Sequence, residues 1–191
     1  MAEIAAETER LILRDWTDED EVRFYQVMNT PAVMRHLGGP QSREDWRSGF
    51  ERIRGFTNDW GHTFWIVEEK ATGELLGFCG LKRVNAPGAG DLTGTPEIGW
   101  RLRPEAWGKG IAKEAAIASL DLAFGRFGYG HVIAMTIPPN DSSAGLMKRL
   151  GMTRREDLDF IDQRFGPEVN PQIVFRVDAA DWPAARAAAL S

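Results

Sequence analysis

The residues with the most chemical information lie where a predicted strand, Glu97 to Arg103, runs into a glycine-containing turn. The turn is Trp107-Gly108-Lys109-Gly110-Ile111-Ala112, and it opens the longest predicted helix, Lys109 to Phe127. Two glycines leave the backbone uncovered, and the first turn of a helix has unpaired N–H groups and a partial positive charge. The pattern therefore predicts a cradle for an anion such as a phosphate.

Two phosphate-binding motifs that use glycines in this way do not match. The P-loop pattern requires Gly-Lys followed by Ser or Thr, whereas Gly110 follows Gly108-Lys109. The dinucleotide fingerprint G-x-G-x-x-G would have Lys113 at its last glycine. A protein that binds nucleotide phosphates is therefore disfavoured. The tripeptide alone also fits a tight strand-to-helix turn that binds no ligand.

A second segment with chemical potential follows the next predicted strand. Asn140 is placed to cap the helix predicted over 141–150, and Ser143 follows three residues later. Gly151 ends that helix. Without further information, this segment is also an ordinary capped amphipathic helix.

The elements that must position these residues alternate irregularly along the chain. Strands are predicted at 9–15, 63–69, 74–83, 97–103, 132–137, 154–161 and 172–178, and helices at 17–29, 42–58, 109–127 and 141–150, with a short helical turn at 32–37 and a final helix after residue 181. This order predicts an α+β fold with a mixed, largely antiparallel sheet, because a doubly wound fold would alternate strand and helix regularly. The aromatic residues between positions 16 and 65 are interpreted mainly as core.

Composition restricts the class of protein further. The 191 residues predict one domain, and 43% hydrophobic with 27% charged residues is ordinary globular usage. A net charge of −5 argues against nucleic-acid binding. The single cysteine, Cys79, lies in an apolar run and predicts a buried thiol in a reducing cytoplasm. No apolar stretch is long enough for a membrane span, and the acidic first seven residues predict no signal peptide.

Taken together, the two segments resemble the GNAT N-acetyltransferase superfamily. The turn is similar to its pyrophosphate motif Arg/Gln-x-x-Gly-x-Gly/Ala, and Asn140, Ser143 and Leu150-Gly151-Met152 are similar to its next motif. The Trp-Gly-Lys-Gly form and the start at 8–14 most resemble the RimJ/RimL-like branch. The resemblance covers roughly 8–178, predicted as a single domain with terminal extensions at 1–7 and 179–191. It implies a mostly antiparallel sheet flanked by helices and splayed between the two central strands.

The resemblance implies acetyl-CoA as co-substrate and no metal. The pantetheine arm would lie against the strand backbone and Asn140, and the pyrophosphate against the turn, while the first two helices would shape the acceptor site. The cofactor-binding residues are expected to be Trp100, Arg101, Leu102, Arg103, Trp107, Gly108, Lys109, Gly110, Ile111, Ala112, Asn140, Ser143 and Met147.

The family mechanism is direct attack of an amine on the thioester in a ternary complex, which requires a general base. By resemblance Glu97 is that base, and burial would raise its pKa toward neutrality. A solvated glutamate at a strand end is the alternative. Glu68, Glu69 and Asp159 are poorer candidates, as are His36 and His62 in loops near the acceptor.

Two departures from the family pattern affect these expectations. Trp107 replaces the Arg or Gln that opens the pyrophosphate motif. The helix after Asn140 also lacks the tyrosine that protonates the leaving thiolate in many members, since Met147 cannot donate and Tyr25 and Tyr129 lie elsewhere. Ser143 or water could serve, or no acid is needed, because a thiol pKa is already near ~8.5.

The sequence therefore favours a cytoplasmic acetyl-CoA-dependent N-acetyltransferase, a possible homodimer, acting on a protein N-terminus or a small amine. The net negative charge would favour a cationic acceptor. No nucleic-acid or membrane partner is expected. The alternative is a non-catalytic acyl-CoA-binding or regulatory domain with the same fold.

Overall fold

The computed structural model describes residues 2–191. Within these residues the chain forms eight β-strands and six α-helices in an α+β arrangement, as predicted. The chain divides into two compact units. One unit contains the described residues up to Lys82 together with Gly99–Ser119, and the other contains Arg83–Ile98 together with Leu120–Ser191.

The first unit contains an antiparallel run of strands. The strands lie side by side in the order β1 (Ile4–Glu7), β2 (Leu11–Arg14), β3 (Phe64–Glu69) and β4 (Leu75–Arg83), followed by the end of β5 (Pro96–Leu102). The helices are α1 (Asp20–Met28), α2 (Pro31–Met34), α3 (Arg43–Trp60) and most of α4 (Ile111–Asp121).

Helix α3 begins where the sequence predicts and ends two residues later than predicted, at Trp60. The Ser42 hydroxyl accepts a hydrogen bond from the Asp45 N–H at 3.1 Å, which satisfies one free donor of the first turn. Gly61, in the left-handed region, ends the helix. The helix buries Trp46 and Phe50 in a core cluster that includes most of the N-terminal aromatic side chains. The interpretation of these residues as core is confirmed.

Strand β4 approaches the end of β5 very closely at Gly77. A Cβ atom there would lie 2.1 Å from the Arg101 carbonyl oxygen, and the φ angle of +142° is one that other residues rarely adopt. The Arg103 N–H also donates to the Leu76 carbonyl at 2.8 Å. These contacts fix the backbone of β5 just before the glycine turn.

The second unit contains the start of β5 and three more strands, β6 (His131–Thr136), β7 (Thr153–Arg154) and β8 (Ile173–Asp178), in the order β5-β6-β8-β7. Its helices are α5 (Asp141–Arg149) and α6 (Trp182–Leu190). Strands β5 and β6 are parallel, and their registered pair is Glu97 opposite Ile133. Strands β6 and β8 instead share an antiparallel ladder along their whole length. The short parallel ladder agrees with the predicted splay.

Two predicted elements have different bounds in the structure. The strand predicted at 9–15 shortens to β2, and residues 4–7 form a further strand, β1, where no element was predicted. The helix predicted over 109–127 comprises α4 followed by one π-helical stretch, Leu122–Arg126. The predicted final helix is α6, whose Trp182 indole N–H donates to the Asp121 carboxylate at 2.9 Å.

The strand predicted at 154–161 is wrong for most of its length. It shortens to β7, a 3₁₀ turn at Glu156–Leu158 and one bridge between Phe160 and Gln172. The reason is a side-chain contact, because the Asp159 carboxylate accepts the Val174 N–H at 3.0 Å and also binds Arg154. A side chain thus takes a hydrogen bond that a longer strand would have made with its backbone.

No helix within residues 2–191 is long and apolar enough to cross a membrane.

Candidate functional site

The glycine turn has the geometry that an anion cradle requires. Gly108 and Gly110 have φ angles of +72° and +77°, and both are exposed. A Cβ atom at Gly108 would meet no heavy atom within 4 Å, so the space above the backbone is open. The Glu114 N–H donates to the Gly110 carbonyl at 3.0 Å, which starts the hydrogen bonding of α4. The N–H groups of the first turn therefore have no acceptor within the helix.

A side-chain brace that the sequence patterns did not reveal holds this turn. The Glu114 carboxylate accepts hydrogen bonds from the Thr8 hydroxyl at 2.5 Å and from Arg10 Nε at 2.7 Å. Arg10 Nη1 also donates to the Lys109 carbonyl at 3.0 Å. Burial alone would raise the pKa of Glu114, but these hydrogen bonds outweigh it and lower the pKa. The signal in the sequence was only the resemblance of the 8–14 segment, which gave no partner for Arg10.

Trp107 acts on the protein itself as well as lying in the motif. Its indole N–H donates to the Leu102 carbonyl at 2.7 Å, which links the turn to the end of β5, while 47% of the residue stays exposed. Arg103, expected to add positive charge here, is paired with Glu105 at 2.9 Å and with Glu74 at 3.5 Å. The exposed Lys109 is therefore the better source of positive charge at the turn.

In the second unit, Asn140 caps α5 as predicted. Its Oδ1 accepts from the Ser143 N–H at 3.3 Å and from the Ser142 hydroxyl at 3.0 Å. Both bonds use the side-chain oxygen of Asn140, and its Nδ2 donors bind no other described residue. Ser143 is partly buried, whereas Met147 is only 2% exposed and packs in the core. A direct contact between Met147 and a ligand stays a prediction.

Glu97 is buried, with 8% of its surface exposed, at the start of β5. The positive charge of Arg164 acts on it from within the same unit. Arg164 forms a salt bridge with Asp162 at 2.6 Å. This hydrogen bonding raises the pKa of Arg164, and Glu97 adds to the rise. Glu97 is therefore a shielded carboxylate next to a cation rather than a solvated strand end.

The two histidines named as poorer candidates for the general base both make contacts within the protein. His62 is fully buried, and its Nδ1 lies 3.0 Å from the Leu81 carbonyl oxygen. The His36 ring accepts from Arg35 Nε at 2.9 Å, and burial together with that cation lowers the pKa of His36. Cys79 is a buried thiol 3.5 Å from the Ser119 hydroxyl, as expected. No group of three potential metal ligands occurs within residues 2–191.

The strand, the glycine turn and the helix after it form the strand–turn–helix that the resemblance to acetyltransferases implies. The profile of the acetyltransferase (GNAT) domain family matches residues 10–153. The chain therefore belongs to the GNAT family of N-acetyltransferases, and it is an acyltransferase by class. The resemblance noted from the motifs, including the RimJ/RimL-like branch, is confirmed.

Two relatives are similar to most of the chain, and the name of the second is that of an N-acetyltransferase. The chain is 32% identical over 146 residues to the uncharacterized protein YkkB of Bacillus subtilis (strain 168), covering 76% of this chain and 83% of YkkB. It is 26% identical over 150 residues to the uncharacterized N-acetyltransferase YoaA of the same strain, covering 78% and 82%.

Among solved structures, an acetyltransferase from Agrobacterium tumefaciens str. C58 superimposes with a TM-score of 0.74 at 26% identity, covering 90% of this chain and 92% of that one. A ribosomal L7/L12 α-N-protein acetyltransferase, RimL, superimposes with a TM-score of 0.70 at 15% identity, covering 93% and 95%. The latter shows a shared fold.

Proposed function

We propose that the protein transfers an acetyl group from acetyl-CoA to a primary amine, by direct attack of the amine in a ternary complex. The observation that carries the proposal is the open turn at Gly108 and Gly110, which leads into α4 and is braced from Arg10 and Glu114. Family membership implies the use of acyl-CoA. The identity of the acyl group and the direct mechanism belong to the proposal.

Each unit offers chemical groups that suit a bound acyl-CoA. The N–H groups at the start of α4 and the Lys109 ammonium supply donors and positive charge for a pyrophosphate. Asn140 offers amide donors for a carbonyl of the pantetheine arm, since only its oxygen is used in capping α5. When bound, acetyl-CoA supplies an activated acyl carbon. The protein orients it and provides the proton transfers.

Glu97 is proposed to accept the proton of the attacking amine, directly or through one water molecule. Its shielding from bulk solvent at the start of β5 favours this role. Ser143 is proposed to hydrogen-bond the departing thiolate and to relay a proton to it from water, so that the hydroxyl is reprotonated as it donates. Its hydroxyl is not engaged with any other described residue, so it can donate to a ligand.

The cytoplasm is the compartment proposed, since the single thiol of Cys79 is buried and has no partner for a disulfide. A homodimer is proposed as the default assembly.

The test of the proposal combines binding and turnover. Acetyl-CoA and CoA should raise the melting temperature, whereas ATP and NAD should not. Release of free thiol from acetyl-CoA should depend on an added amine, across a panel of peptides, polyamines and amino acids. A folded protein that no CoA species stabilises, or one that binds acetyl-CoA but acetylates no amine, would contradict the proposal.

A matched pair of variants tests whether the cofactor binds at the turn. Gly108 and Gly73 have similar φ angles, +72° and +68°, and open space around the missing Cβ. The backbone strain of a substitution is therefore alike at both sites. Gly108→Trp should weaken acetyl-CoA binding by about 100-fold or more, about 2.7 kcal/mol of binding free energy. Gly73→Trp, in the turn after β3, should leave binding unchanged. Retained affinity in Gly108→Trp would show that the pyrophosphate lies elsewhere.

A further inference from the structure

Arg101 projects from the second half of β5 toward the aromatic core of the first unit. Alternate side chains of a strand share a face, so Arg101 lies on the face of Gly99. A Cβ atom at Gly99 would lie 3.0 Å from Phe64 Cζ. The guanidinium carbon of Arg101 lies 5.3 Å from the ring centroid of Phe78, and Nη1 lies 3.6 Å from Met34 Sδ.

This cation has no anionic partner in the part of the chain that the structure describes. Its contacts are the Met34 sulfur and the Phe78 ring, and no carboxylate acts on it. Burial lowers the pKa of Arg101 to about 10. Partly buried arginines normally pair with acids, as Arg14 does with Asp20 and Glu68. An unpaired, desolvated guanidinium destabilises the fold, so its presence calls for a functional explanation.

The guanidinium is nevertheless reachable from solvent. Arg101 is partly exposed, and none of its nitrogens is both buried and unpaired. The Nε and Nη2 donors therefore keep some exposure to solvent. A guanidinium presents its donors as a planar fork that matches the two oxygens of a carboxylate. The structure thus holds a preformed half of an arginine–carboxylate pair.

We propose that Arg101 binds a carboxylate of the acceptor, so that the substrate is a small amine that also carries a carboxylate, such as an amino acid. This inference rests on the proposed transfer to an amine. The side chain contacts α2 and β4 rather than the turn at 108–112, which is why the acceptor and not the pyrophosphate is its ligand. The ammonium of such a substrate also suits a chain with a net charge of −5.

The experiment compares amino acids with their carboxamides, which keep the amine and the side chain but lose the negative charge. The wild-type protein should acetylate leucine, methionine and phenylalanine with kcat/KM at least about 10-fold above their carboxamides. Arg101→Met should lower kcat/KM for the acids by about 100-fold, the worth of a bidentate charged pair, and should change the carboxamides by less than about 3-fold. For the acids, the kcat/KM of Arg101→Lys should lie between those of the wild type and of Arg101→Met, because lysine keeps the charge without the planar fork of donors.

Two controls separate this role from a structural one. Arg126, whose guanidinium carbon lies 5.5 Å from the Phe127 ring centroid, offers a matched variant, and Arg126→Met should leave all rates unchanged. Arg101→Met should keep or raise the melting temperature, by about 3 °C, because it replaces an unpaired cation with an apolar side chain. A merely structural arginine would instead lower the melting temperature and affect acids and carboxamides equally.

Calorimetry with CoA-bound protein measures the binding of a carboxylate by Arg101 without turnover. Amino acids should bind at least about 10-fold more tightly than carboxamides, and Arg101→Met should abolish the difference. Absence of turnover on every amine would contradict the proposed function, while this binding preference would still support the role of Arg101. Equal binding of acids and carboxamides would overturn the inference, as would a 10-fold loss of acetyl-CoA affinity in Arg101→Met.

Discussion

Glu97 illustrates what a single buried carboxylate has to combine in order to act as a base. It is shielded from water, yet it lies at the beginning of β5, where the parallel ladder with β6 is short. Its proposed role therefore rests on shielding by the fold and on its place beside the substrate, while the positive charge of Arg164 acts on it within the second unit.

Replacement of this carboxylate by an amide tests its role in proton transfer. Glu97→Gln should lower kcat by about 100-fold or more, the usual contribution of a general base. Acetyl-CoA affinity should change by less than about 3-fold, because Gln keeps the size and the hydrogen-bonding oxygen. Steady-state kinetics and calorimetry measure the two quantities. The control is Glu156→Gln at an exposed carboxylate of the same unit. An unchanged rate near neutral pH would remove Glu97 as the base.

Cys79 gives a second prediction at the scale of one residue. Burial raises the pKa of its thiol to about 12, so little thiolate forms in the folded protein at about pH 8. A disulfide reagent should therefore label the native chain at least about 100-fold more slowly than the unfolded chain, since reaction waits for opening of the core. Absorbance of the released thiol chromophore follows the reaction, and denaturant should reveal one thiol per chain. Rapid labelling in native buffer would show that Cys79 is accessible.

At the scale of elements, the turn before α4 depends on residues from far away in the chain. Arg10 and Glu114 are separated by 104 residues, and Arg10 reaches the Lys109 carbonyl as well. The turn is therefore held from outside, because glycines alone would leave its backbone with several conformations.

Removal of the brace should loosen the turn. In Arg10→Ala, the Lys109 carbonyl and the Glu114 carboxylate both lose a charged donor, and acetyl-CoA affinity should fall by about 10-fold through the added cost of ordering the turn. Calorimetric titration gives the affinity. Arg155→Ala serves as the control, because Arg155 forms only a local pair with Asp157 at 2.6 Å in the second unit. Equal affinities for wild type and Arg10→Ala would show that the glycine turn is ordered without the brace.

These elements also show where sequence reasoning succeeds. Local patterns correctly predicted the strand–turn–helix at Gly108, the cap of α3 by Ser42 and the cap of α5 by Asn140. Each depends on neighbouring residues along the chain, whose spacing the sequence displays directly.

The errors have a common physical origin. The strand predicted at 154–161 failed because Asp159 takes the Val174 N–H, and the brace was missed because Arg10 pairs with Glu114 across the chain. Side-chain pairs of this kind leave no local periodicity. The resemblance implied a role only for the backbone of Arg101, and the structure adds that its side chain has no carboxylate partner within residues 2–191.

At the scale of the whole molecule, the buried ion pairs make stability depend on pH. Burial alone would raise the pKa of Asp20, but hydrogen bonds from Arg14 and from Thr17 outweigh it and lower the pKa below its ordinary value of 3.8. Burial alone would also raise the pKa of Glu114, but hydrogen bonds from Thr8 and Arg10 lower it below its ordinary value of 4.5. A carboxylate with a lowered folded-state pKa contributes stability above its unfolded pKa, and that stability is lost as the pH falls through the folded-state value.

The free energy of unfolding should therefore decrease as the pH falls below about 4.5. Asp20→Asn should unfold more easily at about pH 7, by about 1–3 kcal/mol, because the mostly buried Arg14 loses its principal acceptor. The difference from wild type should narrow below about pH 4, since Asp20 is then also losing its charge in the wild-type protein. Denaturant titrations followed by tryptophan fluorescence measure both effects. Asp18→Asn is the matched control, because that carboxylate is 90% exposed and pairs with Arg54 at the surface, where an ion pair contributes little. A difference between Asp20→Asn and wild type that stayed constant from about pH 7 to pH 3 would show that Asp20 acts through packing rather than through its charge.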